Sequence, residues 1–385
     1  MSSQRKIKVA LVFGGRSTEH AVSCLGAGHL LAAIDRDRYE VVPVGITTDG
    51  RWVLTADEPG RLAVQDSGAL PSVDAVATPG TQIAARLDGA ASALVVTGPG
   101  QVPLSLGEVD VVLPLLHGPW GEDGTLQGLL EMTGASYAGA GVLASAVGMD
   151  KEYMKLVFAA RGLPVGRHVV VHDRDWRAEE STLGPQLAAE RKRVLDEIGE
   201  LGWPVFVKPA RGGSSIGISA AHDQAGLEEA IEAARQHDPK VLVEAAVPGR
   251  EIVCAVLEGT GGGPPEASLP GQVLVGGDAE FYDFQAKYLE ADTGMAIPPP
   301  IPAQDVARIQ QLACAAFEAV SCEGLARVDF FYTPDGQIVV NEINTMPGMT
   351  PASGFPLMWA ASGLPLPQLV DRILQTALGK RRGLR

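Results

Sequence analysis

The residues best suited to chemistry lie in ARVDFFYTPDGQIVVNEIN, residues 326–344, where two apolar runs flank a Pro-Asp-Gly turn. This pattern predicts a β-hairpin. If the Asp-Gly dipeptide is the centre of the turn, Asp329 lies opposite Glu342 and Arg327 lies opposite Asn344. Because opposed residues share a face of the sheet, we expect these four polar side chains to project from the same side.

Three of these side chains supply oxygen ligands toward one place: Asp329, Glu342 and Asn344. Carboxylate and amide oxygens are the donors that magnesium prefers, and substrate phosphates can complete its octahedron. Arg327 then suits an anionic oxygen nearby. The alternative is a solvated hairpin face on which Arg327 pairs with a carboxylate. A turn loop of odd length would also shift the register and separate the cluster between two faces.

A glycine-rich loop, ARGGSSIG at residues 210–217, follows the predicted strand WPVFVKP. Glycines let backbone N–H groups approach an anion, the hydroxyls of Ser214 and Ser215 donate further bonds, and Lys208 adds a positive charge. We therefore expect a phosphate-binding loop. It is not a Walker A loop, in which the lysine follows the glycines. The alternatives are an exposed turn and, for Lys151 in GMDKEYMK, a surface lysine.

The surrounding sequence indicates three structural units. Residues 1–139 alternate strands with a helix, which predicts a doubly wound parallel α/β sheet. Residues 140–247 form a separate α+β unit, and residues 248–385 turn antiparallel. The predicted elements are strands at 7–13, 41–46 and 109–116, a helix at 19–34, a helix containing Lys151, a strand near His168, a charged helix around 188–201, and strands at VFVKP, EIVCAVLEG and GQVLVGG.

Composition limits the classes of partner. The chain has 385 residues, a formal net charge of -15 and a pI near 4.9, so it has no general attraction for nucleic acid or anionic lipid. Its four cysteines show no C-x-x-C spacing, which favours buried reduced thiols over disulfides or a zinc site. The N-terminal apolar run is short and ends in two glycines, unlike a secretion signal, and no stretch approaches the roughly 20 apolar residues of a membrane helix. We therefore expect a cytoplasmic protein without membrane or nucleic-acid partners.

An ordered set of motifs resembles those of the D-alanine:D-alanine ligases, a family of the ATP-grasp superfamily. The motifs are FGGRSTEHAVS, HGPWGEDGTLQG, VKPARGGSSIG, VEAAVPGREI, FYDFQAKYL, the hairpin ending in EIN, and TMPGMTPASGFP. The resemblance runs from residue 14 to about 356, apart from 47–103 and 172–200. It implies an N-terminal doubly wound sheet followed by two α+β domains that sandwich ATP, in a homodimer. The implied reaction joins two D-alanines through an acyl phosphate for peptidoglycan synthesis, with ATP and two magnesium or manganese ions.

The same resemblance implies roles for individual residues. ATP would be held at its phosphates by Lys151, Lys208 and Ser215, at adenine by Glu244, Ala245 and Val247, and at the ribose by Glu251. The substrates and the oxyanion would be held by Glu19 and His117 at the first D-alanine, Ser353 at the second, and Arg327 with the backbone N–H of Gly348. A mobile loop would bring in Lys287 and Tyr288, with Tyr288 linked through Ser214 toward Glu19. Outside the family, Glu19 could instead stabilise a helix dipole, His117 could be structural, and the loop could be a surface hairpin.

Three residues depart from the family pattern. Gln285 stands where the family usually has Glu, Ala245 replaces a longer residue, and Gly354 stands where Met or Leu is usual. Gln285 could loosen the mobile loop, and Gly354 could alter the second substrate pocket.

The alternatives to a ligase of two D-alanines are a relative that joins D-alanine to D-lactate or D-serine, an NAD-dependent oxidoreductase, and a silent nucleotide-binding sensor. FGGRSTEH lacks the G-x-G-x-x-G of dinucleotide sites.

Overall fold

The computed structural model describes residues 5–64, 68–79, 81–85, 93–97, 104–176, 185–213, 216–274 and 294–380. Its strands are β1 Ile7–Gly14, β2 Tyr39–Ile46, β3 Trp52–Leu54, β4 Gln82–Ala85, β5 Ala93–Thr97, β6 Leu104–Glu108, β7 Val111–Leu115, β8 His168–His172, β9 Val205–Pro209, β10 Ser219–Ala221, β11 Lys240–Ala245, β12 Arg250–Leu257, β13 Glu266–Ala267, β14 Gly271–Leu274, β15 Gly294–Ala296, β16 Leu325–Tyr332 and β17 Ile338–Asn344. Its helices are α1 His20–Ala33, α2 Val73–Val76, α3 Thr125–Thr133, α4 Val142–Met149, α5 Lys151–Ala160, α6 Asp173–Trp176, α7 Pro185–Gly199, α8 Gln224–Arg235, α9 Ala303–Ala319, α10 Gly354–Ala361 and α11 Leu366–Gly379. Short 3₁₀ helices span Pro59–Leu62 and Thr260–Gly262.

The first sheet has the strand order β3-β2-β1-β7. Strand β1 is parallel to β2 and β7, while β3 pairs with β2 antiparallel at one edge. Val9, Leu11 and Phe13 enter a core with α1, and Ala10 and Val12 enter a second core on the opposite face with α3. Helices thus cover both faces, and the predicted doubly wound sheet is confirmed. Strands β4, β5 and β6 lie between the predicted strands at 41–46 and 109–116, where the sequence predicted no element. They form a separate antiparallel sheet.

The last helix, α11, packs against α1 and β7 of the first sheet. Its Leu369 and Ile373 lie in the same buried cluster as Val9 of β1 and Val253 of β12. One continuous core therefore joins the first sheet to the C-terminal sheet, although the two are distant in sequence. The division of the chain at residues 139 and 247 stays a prediction.

The central sheet has the order β10-β9-β11-β8, with every neighbouring pair antiparallel. Its inward side chains, including Val205, Val207 and Val243, pack with Ile198 of α7 and Ile231 of α8. This arrangement confirms the predicted α+β unit and places the end of β9, which carries the glycine-rich loop, beside β11.

The C-terminal sheet has the order β15-β14-β12-β16-β17, and β13 also pairs with β12. Along β12, Ile252, Cys254 and Val256 face the core that contains α9, whereas Val253 and Ala255 face the core of the first sheet. Because both faces of β12 are buried, the run EIVCAVLEG is almost continuously apolar instead of alternating.

The turn of the β16–β17 hairpin differs from the prediction. Thr333 N donates to Gln337 O at 2.9 Å, Gly336 N donates to Thr333 O at 3.0 Å, and Gly336 has a φ of 83°. This is a three-residue loop with a left-handed glycine, and Pro334 favours it by fixing the second position of the turn. The predicted two-residue turn was therefore wrong. A β-bulge at Asn341 shifts the register back, so the predicted pairs further along the strands are confirmed.

The cysteines agree with the sequence analysis. All four are free, and Cys24, Cys254 and Cys322 are buried. Burial raises the pKa of the Cys24 thiol to about 12, so it stays protonated. None of the described helices is both long and apolar enough to cross a membrane.

Candidate active site

A cleft of about 500 Å³ lies between the central sheet and the C-terminal sheet. Most of the residues predicted from the sequence line it. They are Glu19, His117, Lys151, Lys208, Glu244, Ala245, Val247, Glu251, Arg327, Glu342, Asn344 and Gly348. The predictions for Ser214, Ser215, Gln285, Lys287 and Tyr288 concern residues outside the described part of the chain.

The hairpin brings its four polar side chains to one face of the sheet. Arg327 is opposite Asn344, and Asp329 is opposite Glu342, as predicted. Two nitrogens of Arg327 donate to the carboxylate of Asp329, each at 2.7 Å, and Asn344 Nδ2 donates to it at 3.3 Å. Asp329 is 1% exposed and, unlike the other three side chains, does not line the cleft. Arg327 therefore does pair with a carboxylate, but in a buried cleft and not on a solvated face.

Asp329, Glu342 and Asn344 fit a hard cation that also binds oxygens of a substrate. Within the described residues, no group of three or more His, Cys, Asp and Glu side chains could hold a metal ion by itself. Two carboxylates and one amide, each binding through one oxygen, leave half of an octahedron to other oxygens. This donor set suits a magnesium ion bound with phosphates and does not suit a closed zinc site.

Glu244 forms ion pairs with two buried lysines on one wall of the cleft. Lys208 Nζ contacts one carboxylate oxygen, and Lys155 Nζ lies 2.7 Å from the other. Burial would raise the pKa of Glu244, but the two ammonium groups outweigh it and hold this pKa at about 2. Burial likewise would lower the pKa of Lys208, but the carboxylates of Glu244 and Glu342 raise it. Glu244 and Lys208 are therefore fixed opposite charges.

Lys151 connects the glycine-rich loop to the acidic hairpin. Its Nζ donates to Gly212 O at 2.7 Å and lies 3.5 Å from Glu342 Oε2. Its backbone N–H donates to Ala210 O at 3.0 Å. Lys151 is thus not a surface lysine, and its charge lies between the glycine-rich loop and the acidic hairpin.

The carboxylate of Glu19 lies where two loops meet. An added Cβ would lie 2.9 Å from Glu19 Oε2 at Gly213 of the glycine-rich loop, and 3.1 Å from it at Gly118 after β7. Glycine permits this close approach of both backbones. Glu19 is the N-cap residue of α1, but its side chain makes no capping hydrogen bond. Its position at the loop junction supports the predicted role in the cleft.

His117 is buried beside this junction. Its Nδ1 lies 2.9 Å from Met346 O, and a carbonyl only accepts, so Nδ1 carries a proton. Burial is the largest effect and lowers the pKa of His117, which keeps the ring neutral. Its Nε2 then holds a lone pair, and this atom has no hydrogen-bond partner in the part of the chain that the structure describes. The ring is therefore held by one hydrogen bond and lines the cleft.

Ser353 lies outside the lining of the cleft, at the N-cap of α10. Its hydroxyl accepts from Thr350 N at 3.0 Å and lies 2.8 Å from Thr350 Oγ1. These bonds fix the position of the Ser353 hydroxyl at the end of the segment 348–353.

The chain matches family models over most of its length. The model described as D-ala D-ala ligase N-terminus matches residues 8–140, and the model described as D-ala D-ala ligase C-terminus matches residues 157–375. The chain belongs to the D-alanine:D-alanine ligase family.

Individual relatives agree with this membership. The D-alanine–D-alanine ligase of Streptomyces coelicolor is 56% identical over 380 residues, which cover 98% of this chain and 95% of the relative. The enzyme of the same name from Arthrobacter sp. is 53% identical over 382 residues, covering 99% and 96%. The structure of the D-alanine-D-alanine ligase from Coxiella burnetii has a TM-score of 0.76 at 33% identity, covering 97% of this chain and 94% of that chain. The VanG D-Ala:D-Ser ligase from Enterococcus faecalis has a TM-score of 0.79 at 31% identity, covering 97% and 100%.

These likenesses decide among the alternatives. The more similar curated relatives are D-alanine–D-alanine ligases, so a D-lactate or D-serine ligase and an NAD-dependent oxidoreductase are not favoured. The fold of two α+β sheets around one cleft is the ATP-grasp arrangement that the resemblance implied.

Lys155 is a buried residue of this ligase that the sequence analysis missed. Besides its ion pair with Glu244, its Nζ donates to Asn341 O of the hairpin at 3.3 Å. Lys155 therefore ties α5 to both walls of the cleft. The available signal was its spacing of four residues from Lys151, which places both side chains on one face of a helix.

Glu122 of the ligase is the second missed residue, although it lies in the motif HGPWGEDGTLQG. Its carboxylate accepts from Gly118 N at 2.8 Å and from Met346 N at 3.0 Å. Burial, together with the nearby carboxylate of Glu19, raises the pKa of Glu122 to about 8. Glu122 thus joins the loop after β7 to the loop after β17, from positions distant in sequence.

We expect acid to destabilise the ligase partly through Glu244. Its pKa is about 2 in the folded chain, below the unfolded value of roughly 4.3. This contribution is therefore fully present above the unfolded pKa and is lost as the pH falls toward 2, by about 3 kcal/mol in all. In urea titrations between pH 3 and 6, the free energy of unfolding should fall less steeply with acid in Glu244→Gln than in the native chain.

The matched control is Glu229→Gln on the exposed face of α8. It should keep the native dependence on pH. Equal slopes for Glu244→Gln and the native chain would show that the two lysines do not stabilise an ionised Glu244.

Proposed function

We propose that this chain joins two D-alanines to D-alanyl-D-alanine, converting ATP to ADP and phosphate, in the synthesis of peptidoglycan precursors. The proposal rests on one observation: Lys151 and Lys208 line the same cleft as Glu342, and Lys151 Nζ lies 3.5 Å from the carboxylate of Glu342. Phosphoryl transfer to a carboxylate brings anions together, and fixed cations must neutralise their charge. The names of the relatives supply the substrate, D-alanine.

ATP would lie along the cleft with its phosphates between the two lysines and its adenine at the end of β11. Glu244 is an anionic acceptor there for the adenine amino group, and the backbone at Ala245 and Val247 lines the same wall. Glu251 on β12 would accept from the ribose hydroxyls. Ser215 would donate to a phosphate from the glycine-rich loop.

Asp329, Glu342 and Asn344 would hold magnesium, or manganese, as two ions shared with the phosphates. When bound, such ions neutralise charge on the transferring phosphoryl group. The side chains around these ions would neutralise the remaining charge.

In the first step, a carboxylate oxygen of the first D-alanine forms a bond to the γ-phosphorus, and the bond from that phosphorus to ADP breaks. Glu19 would hold the ammonium group of this D-alanine, and the neutral His117 would accept a hydrogen bond beside it. Lys151 and Lys208 would neutralise the phosphates as charge moves to ADP. The product is an acyl phosphate.

In the second step, the amine of the second D-alanine attacks the acyl carbon and forms the C–N bond. The bond from that carbon to the phosphate oxygen breaks, and the proton lost by the amine leaves with the phosphate, which gives the amide. Arg327 and the N–H of Gly348 would donate to the oxyanion of the tetrahedral intermediate. Ser353 would bind the carboxylate of the second D-alanine. The loop carrying Lys287 and Tyr288, with Tyr288 linked to Ser214, would exclude water from the acyl phosphate.

A cytoplasmic location and a homodimer, both expected from the sequence, remain predictions. Sedimentation of the purified chain would test the second of these.

The activity is tested by incubating the purified chain with ATP, magnesium and D-alanine. We expect phosphate release that depends on D-alanine, and a dipeptide of matching amount by mass spectrometry. L-alanine is the matched control and should give no dipeptide. Phosphate release without dipeptide, or no release that depends on an amino acid, would defeat the proposal. NADH absorbance in parallel tests the oxidoreductase alternative.

A further inference from the structure

Lys240 is a buried, charged residue of the central sheet that the proposed mechanism does not use. It is 8% exposed and does not line the cleft. Its Nζ donates to both carboxylate oxygens of Asp150, at 2.6 and 2.7 Å, and to Glu152 Oε2 at 2.6 Å. Burial would lower the pKa of Lys240, but the hydrogen bonds to these two carboxylates outweigh it and raise this pKa. Lys240 is therefore a fixed positive charge against the first turn of α5.

This ion pair joins two separately packed parts of the molecule. Lys240 begins β11, whose Val241 and Val243 lie in the core of the central sheet. Helix α5 contributes Met154 and Phe158 to the core of the C-terminal sheet. The side chain of Lys240 thus links one wall of the cleft to a helix that packs with the other wall.

Backbone hydrogen bonds connect Lys240 to the glycine-rich loop and to Lys151. Lys240 O accepts from Ala210 N at 2.9 Å, and Ala210 O accepts from Lys151 N at 3.0 Å. Ala210 is the first residue of the loop, and Lys151 directly follows Asp150 in the chain. These bonds and the ion pair form a closed ring, in which the side chain of Lys240 fixes the distance between the loop and the start of α5.

Asp238 anchors the loop to the same end of β11. One of its carboxylate oxygens accepts from Lys240 N at 2.9 Å, and the other accepts from Arg211 N at 2.8 Å. The next residue of the loop is Gly212, whose carbonyl accepts from Lys151 Nζ at 2.7 Å. Because the loop is bonded to the start of β11, a shift of Lys240 relative to α5 would move the loop relative to Lys151.

We propose that Lys240 is a positioning residue, which holds Lys151 and the glycine-rich loop at the spacing that lets both meet the phosphates of ATP. The inference rests on the proposed function, in which Lys151 and the loop bind these phosphates. Without Lys240, the carboxylates of Asp150 and Glu152 would lose their shared cation and repel each other beside Lys151. The start of α5 would then move away from the loop.

The first test is Lys240→Met, with ATP binding measured by titration calorimetry in the presence of magnesium and without D-alanine. Displacing a positioned group by about 1 Å can cost about 100-fold. We expect the Kd for ATP to rise by at least about 10-fold. The KM for D-alanine at saturating ATP should stay within about twofold of native, because the residues proposed to bind it are not part of the ring. Lys240→Arg keeps the positive charge and should regain most of the affinity for ATP.

The second test is a double-mutant cycle with Asp150→Asn. Asparagine keeps a capping side chain at the start of α5 but removes one of the charges that pair with Lys240. It should weaken ATP binding by itself, and the double variant should bind ATP no more weakly than Lys240→Met alone. Additive effects would overturn the inference. Should Lys240→Met not fold, the milder Asp150→Asn variant decides alone, and native affinity for ATP in that variant would overturn the inference.

Arg235→Met is the matched control. Arg235 lies on α8, which packs on the same central sheet, and its side chain pairs with Asp173 at 2.5 Å and with Glu232 at 2.7 Å. The substitution should lower the melting temperature, as Lys240→Met does, without changing the Kd for ATP. An equal loss of ATP affinity in both variants would reduce Lys240 to a residue that only stabilises the fold.

The inference and the proposed function fail in different ways. A native chain that makes no dipeptide would defeat the proposed function itself. A folded Lys240→Met variant with the native Kd for ATP would overturn only the role of Lys240.

Discussion

Replacing Arg327 by methionine should lower kcat for dipeptide formation by about 10²- to 10³-fold, the usual cost of losing one oxyanion donor. Two bonds of 2.7 Å to Asp329 fix the guanidinium before any substrate binds. The KM for ATP should change much less, because Lys151 and Lys208, which we propose to bind the phosphates, are unchanged. Steady-state phosphate release with ATP varied at saturating D-alanine separates the two constants.

Two variants control this result. Arg327→Lys keeps the positive charge but loses the planar fork, so it should recover only part of the rate. Arg193→Met, on the exposed face of α7, should keep the native kcat. If Arg327→Met retained kcat within about threefold of native, the guanidinium would have no part in the chemical step.

Replacing Asp329 by asparagine should lower the rate by at least about 10²-fold, because loss of a partner that only orients a metal ligand already costs 10- to 100-fold. Asparagine keeps the volume of this buried residue, but it removes the negative charge and turns one acceptor toward Arg327 into a donor. The magnesium concentration for half-maximal rate should rise in parallel. Rates measured across a magnesium series, with ATP saturating, test both effects.

Asp335→Asn is the control for this change, since Asp335 lies on the same hairpin at its exposed tip. It should keep the native rate and the native dependence on magnesium. An Asp329→Asn variant whose magnesium dependence matches the native one would remove Asp329 from the metal site, even if its rate were low.

The hairpin shows how far local pattern predicts a site. Alternation and a Pro-Asp-Gly turn were enough to pair Arg327 with Asn344 and Asp329 with Glu342. The length of the turn loop was predicted wrongly although Pro334 and Gly336 favour a three-residue loop, and the bulge at Asn341 that offsets it has no distinct sequence signal. The pairing was correct because two register shifts cancel.

Residues that act across elements were harder to predict. Lys155 and Glu122 each bond to backbone atoms far away in sequence, and only the packed structure shows those partners. Helix α11 likewise buries one face, and only the packed structure shows that this face joins the core of the first sheet. Whether a segment forms a strand or a helix could be predicted from its local sequence. Which elements pack against each other depended on the whole fold.

The shared core beneath the first and C-terminal sheets has a mechanical consequence. Those two sheets behave as one frame, whereas the buried cluster of the central sheet contains residues from Val171 to Val243 alone. The central sheet joins the frame through the segments 161–167 and 246–249. A movement of the central sheet relative to this frame would therefore bend these two short segments and leave the shared core unchanged.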